Sequence, residues 1–176
     1  MNTFESFQKI PRFSREIIIT EKIDGTNAQI CITEDGQFLT GSRSRWITPE
    51  DDNFGFSRWA HEHKDELMQL GIGRHYGEWW GNGIQRNYGL KEKRFSLFNV
   101  HRWGLERPDC CCVVPTLYVG DFDTNMILTA IDDLAKNGSI AAPGFMNPEG
   151  IIIYHTQGNI LFKKTIKKDD EHKGNK

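Results

Sequence analysis

The alternation of apolar and polar positions predicts a strand-rich chain. Ile17, Ile18, Ile19 and Thr20 form a β-branched run that is typical of a strand. Two further alternating segments flank Glu34-Asp35-Gly36, a sequence typical of a hairpin turn. By the same criteria we predict strands at residues 15–22, 27–33, 37–42, 74–80, 94–101, 111–119, 150–155 and 159–166.

Two stretches have apolar residues at helical spacing. The first follows Asp51 and Asp52, which are candidate N-caps, and ends at Gly71. The second begins near Asp123-Thr124 and ends at Gly138. Strands outnumber helices and most connections suit antiparallel pairing. The sequence therefore predicts an α+β fold with mainly antiparallel sheets flanked by helices.

Length and composition favour a single globular domain. The 176 residues include 38% hydrophobic and 26% charged positions, and they contain neither an internal repeat nor a linker-like segment. We predict one domain at residues 1–168 and a polar C-terminal tail at residues 169–176. No apolar run approaches the roughly 20 residues of a membrane span, and no signal peptide opens the chain. We therefore expect a cytoplasmic protein that does not interact with membranes.

Charge and cysteine content bear on whether the protein binds nucleic acid, binds zinc or forms disulfides. A net charge of −2 argues against an overall basic footprint for nucleic acid. Lysines nevertheless gather near the C-terminus, where they form either a solvated tail or part of a local basic groove for phosphates. Cys31 and the triplet Cys110–Cys112 contain no Cys-x-x-Cys pair, which argues against zinc. We expect no disulfide partner.

Five segments place polar residues at strand ends in apolar surroundings, and each has a plain structural alternative. Lys22 becomes a nucleophile only if its surroundings favour the neutral amine; otherwise it is a surface lysine. Arg43 and Arg45 would share one strand face and straddle a phosphate, or simply be exposed. Glu78 stands among aromatic residues, where a carboxylate needs a partner unless it faces water.

The last two segments carry an aromatic ring and a second carboxylate. Phe98 is either a core residue or a stacking platform for a purine. Glu149 precedes an apolar strand, and the next strand returns with Lys163 and Lys164. This pattern indicates either a cross-strand ion pair or a carboxylate on a divalent cation with a lysine on a phosphate.

The order of these motifs resembles that of the covalent nucleotidyltransferases, the polynucleotide ligases and mRNA capping enzymes. The series is Lys-x-Asp-Gly, Ser-Arg, Gly-Glu-x-x-Gly, Phe-Asn, Glu-Gly and Phe-Lys. The stretches Lys22–Asn27, Gly77–Gly81 and Gly83–Gly89 are most similar to ATP-dependent RNA ligases of the phage RNA-ligase-2-like class. The resemblance covers about residues 15–167. It implies an ATP-grasp-like nucleotidyltransferase domain of polynucleotide ligases, acting as a monomer and without a C-terminal domain.

The resemblance also implies catalytic roles. Lys22 would attack the α-phosphate of ATP and form lysyl-AMP with loss of pyrophosphate. Glu149 would bind the catalytic Mg²⁺ (or Mn²⁺), and Lys163 would contact the α-phosphate. Apart from the resemblance, Asp24 is near enough to Lys22 in the sequence that we expect it to orient the amine. Phosphoryl-type transfer depends mainly on positioning, a divalent cation and cationic clamps, and these residue types supply them.

The nucleotide-binding residues implied by the resemblance include Lys22 and Lys163 themselves. Asn27 would hold the nucleotide, Glu78 would bind the ribose hydroxyls, and Phe98 would stack on adenine. Arg43 would contact the nucleotide or the RNA end. Glu21 and Lys164 complete the expected set.

The substrates that the resemblance implies are RNA ends or nicks with a 5′-phosphate and a 3′-hydroxyl. The last motif in ligases usually carries two lysines one residue apart, but here the second position is Thr165, so Lys164 or Lys167 would substitute. A DNA nick ligase, a GTP-using capping enzyme and an inactive nucleotide- or RNA-binding module are the alternatives. The intact Lys22, Glu78 and Glu149 argue against the inactive module.

Overall fold

The computed structural model describes residues 2–167 and residue 169, and it confirms the predicted α+β class. Three helical segments follow one another in the first half of the chain: α1 (Phe56–Glu62), α2 (Lys64–Leu67) and a 3-10 turn at Met68–Leu70. The third α-helix is α3 (Thr124–Asn137). The strands are β1 (Glu16–Lys22), β2 (Thr26–Ile32), β3 (Phe38–Gly41), β4 (Trp46–Ile47), β5 (Gly73–Gly81), β6 (Lys93–Leu97), β7 (Cys111–Val113), β8 (Thr116–Asp121), β9 (Gly150–His155) and β10 (Ile160–Thr165).

The strands form two sheets that share no strand. The four-stranded sheet has the order β10-β9-β1-β8, and the six-stranded sheet has the order β4-β3-β2-β5-β6-β7. All neighbouring pairs are antiparallel except β6 and β7, which are parallel. Of the polar tail predicted at residues 169–176, all but Asp169 lies outside the described residues.

The strand predicted at residues 111–119 is two strands in different sheets. β7 joins the six-stranded sheet, and β8 pairs with β1 in the other sheet. The break falls at Pro115, which has no N–H to donate to a ladder, while its carbonyl accepts from Glu21 N at 3.0 Å. Similarly, the strand predicted to run to residue 101 ends at Leu97, because Asn99 O accepts from Trp103 N in a tight turn.

The first predicted helix is interrupted, whereas the second is confirmed. α1 ends before His63, whose φ of −104° departs from helical geometry, and α2 starts at the next residue. Asp52 supports α1 from outside, since its carboxylate accepts from Ser57 N and Arg58 N. Asp123 caps α3 by accepting from Asn125 N, and Gly138 ends that helix with a φ of 87°.

Each sheet buries one face against helices and leaves the other face more polar. Ile17, Ile19, Ile151 and Ile153 of the four-stranded sheet pack against α3. In the six-stranded sheet the residues that pack with Phe56, Ala60 and Leu67 are Ala28, Ile30, Ile32, Ile47, Trp79, Phe95 and Leu97. Because side chains alternate along a strand, Lys22, Asn27 and Glu78 lie on the opposite, open faces.

A third apolar cluster joins the two sheets where β1 leads into β2. It contains Ile23, Trp80, Tyr88, Val114 and Ala142. The chain leaves one sheet at Lys22 and enters the other at Thr26, so the turn between them lies at the junction. No helix in the described part of the chain has the length and apolar character that a membrane span requires. All four cysteines are free thiols.

Candidate active site

Lys22 and Glu149 form an ion pair at the junction of the two sheets. Lys22 Nζ donates to Glu149 Oε2 at 2.7 Å, and the two side chains are 24% and 18% exposed. The pairing of β1 with β9 sets Lys22 opposite Gly150, the residue after Glu149. A Cβ on Gly150 would lie 2.2 Å from Lys164 O, so only glycine allows the chains to approach here. The lysine and carboxylate of two distant motifs are therefore in direct contact.

Asp24 is paired with Arg86 rather than with Lys22. Asp24 Oδ2 accepts from Arg86 Nε at 2.9 Å, and Asp24 N donates to Tyr88 Oη at 2.7 Å. Arg86 also donates to the carbonyls of Asn147 and Pro148, at 2.9 and 3.2 Å. Arg86 thus links the turn after Lys22 to the segment immediately before Glu149. The expected role of Asp24 in orienting the amine has no direct contact to support it.

The loop that supplies Arg86 and Tyr88 has an unusual backbone. Gln85, Asn87 and Tyr88 have φ values of 46°, 64° and 56°, a region that non-glycine residues rarely occupy. Tyr88 is only 2% exposed, and burial raises the pKa of its phenol. This stretch carries part of the resemblance, but the resemblance implied no role for Arg86 or Tyr88. The arginine and tyrosine inside a glycine-flanked segment were the available signal.

Glu78 is buried beside the same turn. Its Oε1 accepts from Gly25 N at 3.0 Å and its Oε2 accepts from Asn27 Nδ2 at 3.0 Å. Burial raises the pKa of Glu78 to about 7, although the hydrogen bond from Gly25 and the charge of Lys22 act in the opposite direction. A Cβ on Gly25 would lie 2.4 Å from Trp79 O. The glycine of Lys-x-Asp-Gly therefore lets the turn reach this carboxylate.

Phe98 lies on the open face that carries Glu78. It follows β6, and its N–H donates to Tyr76 O at 3.0 Å. Ser96 pairs with Glu78 across the strands, whereas Phe95 and Leu97 point into the core. The ring of Phe98 is 41% exposed, so it is available for stacking next to the buried carboxylate.

Arg43 does not share a strand face with Arg45, so that interpretation was wrong. β3 ends at Gly41, and a turn closed by the hydrogen bond from Ser42 N to Arg45 O leads to β4. Arg45 pairs with Asp51 at 2.6 Å, while Arg43 is exposed in the turn. The β3–β4 turn thus places one exposed arginine, Arg43, at the edge of the six-stranded sheet.

Strand register separates Lys163 from Lys164. Lys163 lies opposite Ile152, and Lys164 lies opposite the buried Ile151. Residues paired across strands share a face, so Lys163 is on the open face with Lys22, and Lys164 is on the other. Lys164 forms an ion pair with Asp169 at 2.9 Å. The expectation that the Lys164 side chain binds the nucleotide is therefore corrected.

Glu21 is likewise directed away from Lys22. Its side chain is 1% exposed, and its carboxylate accepts from Ser139 Oγ, Ile140 N and Ala141 N at 2.6 to 2.9 Å. These bonds hold the segment after α3 against β1. The expected nucleotide-binding role of this side chain is corrected too, because alternation along β1 points it towards α3.

Lys167, the other candidate for the second lysine of the last motif, contacts the segment that precedes Glu149. Lys167 Nζ donates to Asn147 Oδ1 at 3.2 Å, next to the carbonyl that Arg86 binds. Thr165, which takes the motif position itself, lies opposite Gly150. Of the two substitutes, only Lys167 contacts the segment before Glu149.

The carboxylates suit a cation that is shared with substrate rather than a preformed cage. Among the described residues, no three His, Cys, Asp or Glu side chains lie close enough together to hold a metal. Mg²⁺ commonly binds through one or two carboxylates together with waters and substrate phosphates. Glu149, partly exposed and on the open face, fits that mode.

Comparisons with known proteins bear on the family and the fold. The RNA ligase family model matches residues 15–168. The fold is similar to that of a Naegleria gruberi RNA ligase. A variant with AMP and Mn matches with a TM-score of 0.66 and 19% identity, covering 94% of this chain and 57% of that chain. A variant with ATP and Mn matches with a TM-score of 0.65 and 19% identity, covering 86% and 49%.

A third structure, of the same ligase with PPi, matches with a TM-score of 0.61 and 19% identity, covering 86% of this chain and 49% of that chain. The present chain therefore spans about half the length of these structures. No curated protein matches its sequence.

Substituting Glu78→Gln should change how stability depends on pH. The pKa of Glu78 is raised in the folded state. Its contribution to the free energy of unfolding is therefore greatest below about pH 4.5 and is lost as the pH rises through about 7. Relative to the glutamine variant, the parent should lose about 3 kcal/mol of unfolding free energy across this window. Urea denaturation at a series of pH values measures this difference. A difference that is independent of pH would contradict the buried, protonatable carboxylate.

Substituting Glu21→Gln should lower stability without a direct effect on nucleotide binding. The amide replaces an oxygen that accepts hydrogen bonds from backbone N–H groups, so we expect a loss of about 2 to 4 kcal/mol in urea denaturation. Glu16→Gln, on the exposed start of β1, is the matched control and should be near neutral. Parent-like stability combined with lost ATP binding would instead restore Glu21 as a nucleotide ligand.

Proposed function

The chain belongs to the RNA ligase family, and on that premise we propose that it is an ATP-dependent RNA ligase acting through a lysyl-AMP intermediate on Lys22. The contact between Lys22 and Glu149 carries the proposal, because it brings the motif lysine and a carboxylate together on an open sheet face. The proposal assigns nucleotidyl transfer to residues 1–168 and no catalytic role to the polar tail at residues 169–176.

The first step requires a neutral amine on Lys22. Lys22 would lose its ammonium proton to solvent once Glu149, which lies 2.7 Å from Lys22 Nζ, also holds a divalent cation, because a nearby positive charge favours the neutral amine. Lys22 Nζ then attacks the α-phosphorus of ATP. An N–P bond forms, the bond between the α-phosphorus and its bridging oxygen breaks, and pyrophosphate leaves.

The nucleotide would be held by residues on the open faces of both sheets. Each oxygen of Glu78 accepts one protein hydrogen bond and retains capacity for a ribose hydroxyl. Asn27 is held by Glu78 at the start of β2, and Phe98 would stack on adenine. Lys163 would approach the α-phosphate from β10, where it shares a face with Lys22. Arg43 would contact the RNA end.

Glu149 would also hold the divalent cation, Mg²⁺ or Mn²⁺. Bound at Glu149, such a cation would offset negative charge on the transferring phosphoryl group. The presence of Mn with ATP in a structure of the Naegleria gruberi ligase supports a divalent cation and ATP as cofactors. Arg86 would keep the Glu149 segment in register with the Lys22 turn.

In the later steps AMP would pass from Lys22 to an RNA 5′-phosphate. A 3′-hydroxyl would then attack that activated phosphate, forming the new phosphodiester and releasing AMP. Presenting 5′-phosphorylated RNA, nicked duplex RNA and DNA to the labelled protein distinguishes this acceptor from that of a DNA ligase.

Substituting Lys22→Ala should abolish covalent labelling by ATP radiolabelled on the α-phosphate. The parent with Mg²⁺ should carry label on a denaturing gel, because a phosphoramidate survives denaturation while bound nucleotide does not. Lys136→Ala, an exposed lysine on α3, is the control and should label like the parent. Labelling of the Lys22 variant would refute the mechanism, and labelling of the parent by GTP alone would assign it to capping chemistry.

Adjacent lysines on β10 should differ in their effects on the rate of labelling. Lys163→Ala removes a cation from the face of Lys22, and we expect a loss of about 100-fold. Lys164→Ala removes the partner of Asp169 on the opposite face, and its rate should stay within about threefold of the parent. Rapid-quench measurement at saturating ATP gives both rates. Equal losses would contradict the register argument.

A further inference from the structure

Three half-exposed aromatic rings lie on the open face of the six-stranded sheet, and we call them the aromatic row. Trp46, Tyr76 and Phe98 are 46%, 51% and 41% exposed. Single exposed aromatic residues are ordinary on protein surfaces. Here all three share the face that carries Asn27 and Glu78, next to the proposed active site. Only Phe98 has a role in the nucleotide site proposed above.

Strand register places the aromatic row along one line across the sheet. Trp46 pairs with Gly41, Gly41 pairs with Gln29, and Gln29 pairs with Tyr76. Phe98 continues this line, because its N–H donates to Tyr76 O. Cross-strand partners point to the same side of a sheet, so these side chains form one continuous surface.

The middle of the line is low and flat. Gly41 has no side chain, and a Cβ there would lie 2.8 Å from Cγ of Gln29. Gln29 lies along the surface and donates to Ser42 O at 3.1 Å. Trp46 and Tyr76 are therefore separated by three strand spacings, roughly 14 Å, with no bulky group between them.

Two arginines border the line. The guanidinium carbon of Arg74 lies 5.4 Å from the ring centroid of Trp46, a cation–π geometry. Arg43 is exposed in the β3–β4 turn. Within the described residues neither arginine forms an ion pair, whereas neighbouring Arg45 is neutralised by Asp51. The surface thus combines π-faces with positive charge.

We propose that Trp46 and Tyr76 of the aromatic row bind unpaired bases of an RNA strand whose end reaches Lys22. Base stacking on aromatic rings and phosphate contacts with arginine are the interactions by which proteins hold single strands. The exposed Arg43 and Arg74 beside the rings favour an occupant that carries phosphates as well as flat bases. Bases within a duplex are already stacked on one another. The row therefore selects unpaired ends over nicked duplexes.

This inference rests on the proposed function, because only that function requires the end of the RNA strand to lie at Lys22. The binding test itself does not depend on ligase activity. Binding of a fluorescent, 5′-phosphorylated, unpaired RNA oligonucleotide is measured by anisotropy without ATP. Trp46→Leu and Tyr76→Leu keep apolar area but remove the π-face. Each should weaken binding of the unpaired RNA by about tenfold, while binding of a nicked RNA duplex changes by less than about twofold.

Phe7→Ala is the matched control, because Phe7 is an exposed aromatic residue outside the row and is 89% exposed. Trp46→Phe and Tyr76→Phe should restore affinity, and thermal unfolding establishes that each variant is folded. Parent-like affinity of both leucine variants would overturn the proposal, as would equal losses for unpaired and duplex RNA.

Labelling of Lys22 without RNA separates this proposal from the proposed function. If Lys22 takes label but RNA binding is unchanged by substitution of Trp46 or Tyr76, only the proposal for the aromatic row is refuted. If binding of unpaired RNA depends on Trp46 and Tyr76 but the protein takes no covalent label, only the proposed ligase mechanism is refuted.

Discussion

The short connection between the two sheets is the constraint on which the site depends. Only Ile23, Asp24 and Gly25 separate the end of β1 from the start of β2, so the open faces of both sheets must meet at this turn. Ile23 anchors the junction in the apolar cluster with Trp80 and Tyr88. Gly25 is required because any Cβ would collide with Trp79 O. The nucleophile candidate is therefore held at a junction that residues from both sheets can reach.

Charge at this junction is arranged in pairs that carry little net stability. Lys22 pairs with Glu149 and Asp24 pairs with Arg86, all partly withdrawn from water. Partly buried ion pairs often contribute little once desolvation is included. Burial raises the pKa of Glu78, so this carboxyl lowers the free energy of unfolding at neutral pH. A protein selected for stability alone would fill this space with apolar residues, so the polar cluster is better explained by ligand chemistry.

Local patterns predicted the elements well where one physical signal dominated. The run Ile17–Ile19, the Asp-Gly turn at Gly36 and the cap at Asp123 each correspond to observed structure. The predictions failed where a long-range contact decided the outcome. Pro115 divides one apolar run between two sheets, and Arg43 lies in a turn because β3 ends at Gly41.

The sequence by itself determined the order of the motifs, the α+β class and the candidate reactive groups, because periodicity and residue chemistry are local properties. Only the tertiary structure decided which groups meet. Pairing of β1 with β9 brought Glu149 to Lys22, and register on β10 placed Lys163 on the face of Lys22 and Lys164 on the opposite face. Arg86 and Tyr88 entered the site through a loop whose left-handed backbone no periodic pattern encodes. Side-chain direction depends on strand register, and register is set by pairing between segments far apart in the chain.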